Sequence, residues 1–131
     1  MASIFSRIVS GELPAHKVAE TSDFLAFLDI RPLKPGHTLV IPKREVDYLF
    51  DLPEDLYIGL QVFAREVAIA LRKAVPCKRI GSAVIGLEVP HAHVHLVPID
   101  ELSDLSFDRP KLTLSAEEMQ QIAAEIRRHL A

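Results

Sequence analysis

A single cysteine, Cys77, means that no internal disulfide forms, and this scarcity matches a reducing compartment. Long hydrophobic runs are missing too. No stretch approaches the ~18–20 apolar residues of a membrane span. The start, Met1-Ala2-Ser3-Ile4-Phe5-Ser6-Arg7, lacks a charged leader followed by an apolar run, so no signal peptide is expected. Concentrated positive charge is also absent. The net charge is −3, and Lys43-Arg44 and Arg127-Arg128 are the densest basic groups. That excludes the basic stripe a nucleic acid polymer needs. A mononucleotide remains open, because one or two phosphates need no such surface. With no linker, repeat or low-complexity segment, the 131 residues read as one domain, 1–131, of a cytoplasmic protein.

What is present is apolar content, 49% of residues, enough for a core. Residues 3–10 predict a short helix or turn closed by Gly11. Lys17–Thr21 and Phe24–Ile30 predict two strands about a polar turn, Thr21-Ser22-Asp23. Arg31–Gly36 is a loop by its prolines and glycine, and His37–Ile41 a third strand stopped by Pro42. The strongest helix is 53–75, where Leu56, Leu60, Phe63, Val67, Ala70, Leu71 and Ala74 recur at three- and four-residue spacing. Asp51 and Glu54 suggest a capping box, with Pro53 in the first turn and Pro76 as terminator. Gly59 costs that helix about 1 kcal/mol relative to alanine. Strands 79–86 and 91–99 flank a Gly86–Pro90 bend, 100–114 is irregular, and 116–130 is a helix with Ser115 and Glu118 as a second capping box. Met119, Ile122, Ala123 and Ile126 give that helix an apolar side. The result is an α+β fold with a five-stranded, mostly antiparallel sheet.

Half of the six histidines stand in one run, His91-Ala92-His93-Val94-His95. In an extended strand all three imidazoles share one face, and Ala92, Val94 and Leu96 the other. Solvated or merely structural histidines would not need this clustering. A metal site is awkward: positions i and i+4 of a strand lie ~13 Å apart at about 3.3 Å per residue, whereas Zn–N bonds are about 2.1 Å. A pair spaced i, i+2 would need a third ligand, for which His37 is the candidate. Covalent catalysis at phosphorus fits better. One imidazole displaces the leaving group, water then cleaves the phosphoramidate, and the neighbouring rings orient it and handle charge and protons.

The run His91–Val97 resembles the His-φ-His-φ-His-φ-φ signature of the histidine triad (HIT) superfamily, φ being apolar. Ser3–Pro14 resembles the family's amino-terminal segment, and Phe27–Pro32 and Gly36–Lys43 its two central strands. The likeness covers about 1–99 and is nearest to the HINT-like nucleoside phosphoramidases. It implies a HIT-like fold with a long central helix and terminal helices, the sheets joined and the long helices packed across a homodimer. It implies a purine nucleotide substrate, no cofactor, and attack by His93 on the α-phosphorus to give a nucleotidyl-histidine and then a nucleoside monophosphate. His95 would lie near the phosphate oxygens, His91 on the other flank, and His37 behind the triad. Asp29 would hold the ribose hydroxyls. Phe5, Ile8, Phe27, Ile30 and Leu39 would surround the base, and Gly86 would approach the phosphate.

The chain departs from the pattern in three places. Many relatives bind zinc through Cys-x-x-Cys where this chain has Ser3 and Ser6. Serine is a poor zinc ligand, so no metal is expected. Glu88 stands where relatives carry serine or threonine, and Ile80 where an asparagine would contact the nucleotide. Glu88 is either a proton donor to the leaving group or a solvated bend residue. The favoured function is thus a nucleoside phosphoramidase. A non-catalytic nucleotide-binding regulatory dimer and a dinucleoside polyphosphate hydrolase are the alternatives. The tail 100–131 lies outside these motifs, and its contacts are not set by the sequence; reaching over the partner's pocket in a dimer is one option open to it.

Overall fold

Alternating apolar residues build a sheet that is covered on both faces. In the computed structural model, which describes residues 2–130, β1 (Lys17–Glu20), β2 (Phe24–Leu28), β3 (Thr38–Pro42), β4 (Arg79–Ala83) and β5 (Val94–Ile99) form one antiparallel sheet in the order β1-β2-β3-β5-β4. Helices α1 (Ile4–Val9), α2 (Glu54–Ala74) and α3 (Ala116–Arg128) complete it. Side chains alternate between faces along a strand. Ala26, Leu28, Val40, Val94 and Leu96 therefore meet α2 and α3, while Leu25, Phe27, Leu39 and Ile41 meet Phe5 and Ile8 of α1. On the α1 face one row crosses the sheet: Phe27 opposite Leu39, Leu39 opposite His95, His95 opposite Ala83.

α2 buries Leu60, Phe63, Ala64, Val67, Ala70 and Leu71, so Leu60→Ala would cost about 2–5 kcal/mol. Gly59 has a packing reason that its low helix propensity hides. A Cβ there would meet the Phe24 ring at 2.8 Å, and that ring stacks on Phe63 with centroids 5.6 Å apart. The Asp51–Glu54 capping box is not formed. Asp51 belongs to a short 3-10 turn, Leu49–Asp51, and Pro53 occupies the cap without a side-chain bond. Ser115 and Glu118 do cap α3 reciprocally.

β2, β4 and β5 are shorter than the sequence suggests, whereas β3 begins one residue later and runs through Pro42, which pairs with Phe24. β2 stops at Leu28 because Asp29 turns the chain, its Oδ1 accepting from Arg31 N–H at 2.9 Å. β5 starts at Val94 rather than at His91. The register that sets Val40 opposite Val94 would set Pro42 opposite Ala92, and proline has no N–H for the ladder. Ala92 N–H instead donates to Val46 O at 2.7 Å. β4 ends at Ala83 and not at 86. Gly36 delivers His37 to the site. It sits at φ +94°, and a Cβ there would meet Val75, Leu71 and Pro98.

Candidate active site

On the α1 face the imidazoles lie in a row of contacts. The Phe5 ring stands edge-on to His91 and His93, at centroid distances of 5.8 and 5.0 Å. His93 lies 4.9 Å from His95, and His95 5.2 Å from His37. All four histidines are buried. The face alternation thus extends back through the irregular residues before β5.

Hydrogen-bond partners assign the tautomers. His91 Nε2 lies 2.8 Å from Pro42 O; a carbonyl only accepts, so Nε2 carries the proton. Burial holds the His91 imidazole below its ordinary pKa, and its bare Nδ1 accepts from the Ser3 hydroxyl at 2.7 Å. His93 Nδ1 donates to His91 O at 2.7 Å. The lone pair of neutral His93 is therefore on Nε2, which has no partner among the described residues. His37 Nδ1 accepts from Leu33 N–H at 3.0 Å. His37 Nε2–H then donates to His95 Nδ1 at 2.9 Å, which places the His95 proton on Nε2. Burial, then the charge of neighbouring imidazoles and Lys111, pulls His37 down to about 3 and His95 to about 4. Both are neutral at neutral pH. The row thus presents a bare nitrogen on His93 beside an N–H on His95: a nucleophile next to a hydrogen-bond donor. No buried side-chain nitrogen or oxygen among the described residues lacks a partner, so these two nitrogens face accessible space.

Around the row, Phe5, Ile8, Phe27 and Leu39 form one buried apolar cluster, against which Val89 packs. Ile30 stands apart and is exposed. Asp29 Oδ2 lies 3.7 Å from His37 Nε2. Burial raises its carboxyl above the usual range, against the opposing bond from Arg31 N–H. Gly86, at φ +75°, and exposed Glu88 belong to the irregular segment that leads to the histidines. Glu88 makes no side-chain hydrogen bond among the described residues, but its charge is felt at Asp29.

Two groups reach the site without any local signal in the sequence. The tail lies on its own chain. Leu112 N–H donates to Pro32 O at 2.8 Å, and buried Asp104 pairs with Arg109 at 3.0 Å and Lys34 at 3.6 Å. This sets Phe107 edge-on to His95 at 4.7 Å and to His37 at 6.4 Å. Lys111 rests 5.2 Å over the Phe107 ring and donates to Phe107 O at 3.1 Å, with no carboxylate partner among the described residues. Its charge acts on Asp29, His37 and His95. The second group is Glu45, which joins Ser3 and Ser6 beside His91.

A HIT domain model matches residues 10–102. The chain belongs to the HIT family. Among HIT relatives, the adenosine 5'-monophosphoramidase of Saccharomyces cerevisiae is 32% identical, the match covering 95% of this chain and 80% of that protein. A HIT-like protein of Bartonella henselae, described as involved in cell-cycle regulation, superposes with TM-score 0.85 at 29% identity, over 98% of this chain and 96% of that one. A zinc-bound histidine triad protein of Mycobacterium smegmatis superposes with TM-score 0.83 at 31% identity, over 98% and 93%. No helix among the described residues is long and apolar enough to cross a membrane.

In this HIT chain, ligand atoms of Asp29, His37 and His95 lie within 4.8 Å of one another. Both His37 nitrogens are already engaged: Nδ1 takes Leu33 N–H, and Nε2 bonds His95 Nδ1. A cation would have to break that bond. At the Cys-x-x-Cys positions, two serine hydroxyls, the Glu45 carboxylate and an already bonded His91 nitrogen do not fit zinc, whose structural sites use thiolates and imidazoles.

Proposed function

We propose that this HIT protein hydrolyses purine nucleotide conjugates, nucleoside phosphoramidates above all, through a nucleotide covalently held on His93. The observation that carries the reading is the tautomer chain, which leaves a bare His93 Nε2 beside His95 Nε2–H. His93 Nε2 attacks the α-phosphorus, the new P–N bond forms as the bond to the amine breaks, and the amine takes up a proton from water. The ring gains positive charge, and His91 O, bonded to its Nδ1–H at 2.7 Å, stabilises it. His95 Nε2–H and the Lys111 ammonium meet the phosphate oxygens. Water then cleaves the adduct, releasing the nucleoside monophosphate and restoring His93. Asp29 takes the ribose hydroxyls, and the Phe5, Ile8, Phe27 and Leu39 cluster, with Ile30 at its rim, takes the base. Gly86 lets the backbone approach the phosphate. The yeast relative's name, adenosine 5'-monophosphoramidase, supports this substrate class.

A homodimer belongs to the same reading. Among the described residues the outer edge of β4 has no strand beside it, and α2 exposes Ile58, Val62 and Ile69.

The test is turnover of a fluorogenic adenosine phosphoramidate with mass-spectrometric peptide mapping. Wild type should turn over, and a quenched reaction should yield an adenylated peptide containing His93. His93→Ala should lose at least about a thousandfold, and a chelator should change nothing. Loss of activity with chelator would replace the covalent reading with a metal-dependent one. A wild type as inert as His93→Ala would leave a nucleotide-binding protein.

A further inference from the structure

Glu45 and the two serines take no part in the chemistry above, yet they converge on the histidine row. Ser3 and His91 are 88 residues apart in sequence and joined at 2.7 Å. Ser3 Oγ also accepts from Ser6 N–H at 3.0 Å, which caps α1. Glu45 Oε1 accepts both Ser3 N–H and the Ser6 hydroxyl, each at 2.6 Å. These bonds pull the Glu45 carboxyl down to about 2. One carboxylate on the exit of β3 thus binds both ends of the first turn of α1, and that turn binds His91. His91 is fully buried, with both ring nitrogens occupied.

We propose that Ser3, Ser6 and Glu45 form a metal-free clasp that positions the nucleophile. This rests on the covalent-histidine reading and deepens it. The clasp acts at two points. It fixes His91, whose carbonyl holds His93 in the Nδ1–H tautomer. It also fixes α1, whose Phe5 ring lies against both His91 and His93. Where relatives carry two thiols, this chain ties the same segments together with hydroxyls and a carboxylate. Ser3, Ser6 and Glu45 are positioning residues: they act on the reacting nitrogen through His91.

The test joins kinetics to a readout that needs no turnover, the ring 15N shifts of His91 and His93, which report tautomer directly. Wild type should show His93 with its proton on Nδ1 and His91 with its proton on Nε2. Ser3→Ala and Glu45→Ala should each mix the His93 tautomers and lower kcat by about tenfold to a hundredfold, as small misplacements of reacting groups do. Glu45→Gln keeps an acceptor oxygen for Ser3 N–H and Ser6 and should recover most of both signals. That variant also answers the case in which Ser3→Ala loosens α1 as a whole. Folded Ser3→Ala and Glu45→Ala proteins with wild-type His93 tautomer and wild-type kcat would overturn the clasp. So would Glu45→Gln behaving like Glu45→Ala. If no adduct forms on His93, the covalent reading fails, while the 15N shifts still decide whether the clasp sets the tautomer.

Discussion

The two ends of the histidine row are built from opposite materials. At the His91 end every ring nitrogen is spent on the protein itself: Pro42 O on one side, the Ser3 hydroxyl on the other. At the His95 end one nitrogen is spent on His37 and the other is left open, with the Phe107 ring edge-on to the imidazole and the Lys111 charge acting on it. The first end is a scaffold with nothing left to give a ligand. The second has an N–H and a cation to offer an anion. His93 sits between them, with its tautomer set from one side and its partners for phosphate on the other. Three chemically identical side chains at regular spacing thus acquire three roles from their neighbours, not from their order.

Breaking the open end should do the most damage. His37→Ala removes the donor to His95 Nδ1, so the His95 proton is free to move to Nδ1 and leave Nε2 bare. Two adjacent bare nitrogens repel a phosphate. The expected loss in kcat is about a hundredfold on an adenosine phosphoramidate, within the usual range for a group that handles protons or charge in the transition state. A loss below about threefold would show that His37 is only packing.

Acid should test the open end next. An ordinary imidazole protonates near 6.5, but in the folded chain His37 and His95 take up protons only near 3 and 4. Between these values the unfolded state binds more protons, so stability falls as pH drops from about 7 towards 4. Each group contributes up to about 1.4 kcal/mol per pH unit. Denaturant titrations across that range should show the slope, and His37→Phe should remove about half of this contribution. A wild-type stability that is flat from pH 7 to 4 would show that these imidazoles are not held neutral by the fold.

A smaller effect is expected from the tail. Lys111→Gln removes the positive charge but keeps length and polarity. Affinity for a nucleoside monophosphate, measured by calorimetry, should fall about tenfold, the scale of one charge-assisted contact. Affinity for the uncharged nucleoside should hold. Equal loss for both would mean that Lys111 merely props the tail against Phe107.

How much of this was legible in the sequence follows from how far each signal travels along the chain. Strand alternation is local, so the shared face of His91, His93 and His95 was readable, as was the α2 stripe. The Ser115–Glu118 cap is three residues long and was readable too. Asp51 and Glu54 have the same spacing but fail, because a proline between them takes the cap position. β5 starts later than its sequence pattern suggests for a reason that lies on another strand: continuing the register would put Pro42, which has no N–H, opposite Ala92. Phe107 and Lys111 come from an aperiodic segment held by Pro32 and Asp104. Nothing within 100–114 marks them as site residues. Glu45 is likewise an ordinary loop carboxylate until the fold places it under Ser3 and Ser6.

The smallest effect tests the approach to the scaffold end. Glu88 is exposed, makes no side-chain hydrogen bond among the described residues, and reaches the site only through its charge, felt at Asp29. A negative charge there opposes an incoming phosphate, whereas a proton donor there would help the amine leave. The two roles predict opposite signs. If charge alone matters, Glu88→Gln and Glu88→Ser should both bind a nucleoside monophosphate about twofold more tightly and keep wild-type kcat, as suits a solvent-screened charge. If Glu88 gives up a proton, kcat should fall in both variants. The fall should be steepest for substrates whose amine is the poorest leaving group, because those need the proton most. The exposure of the side chain favours the first outcome. A series of phosphoramidates graded by amine basicity, run on wild type and both variants, decides between them.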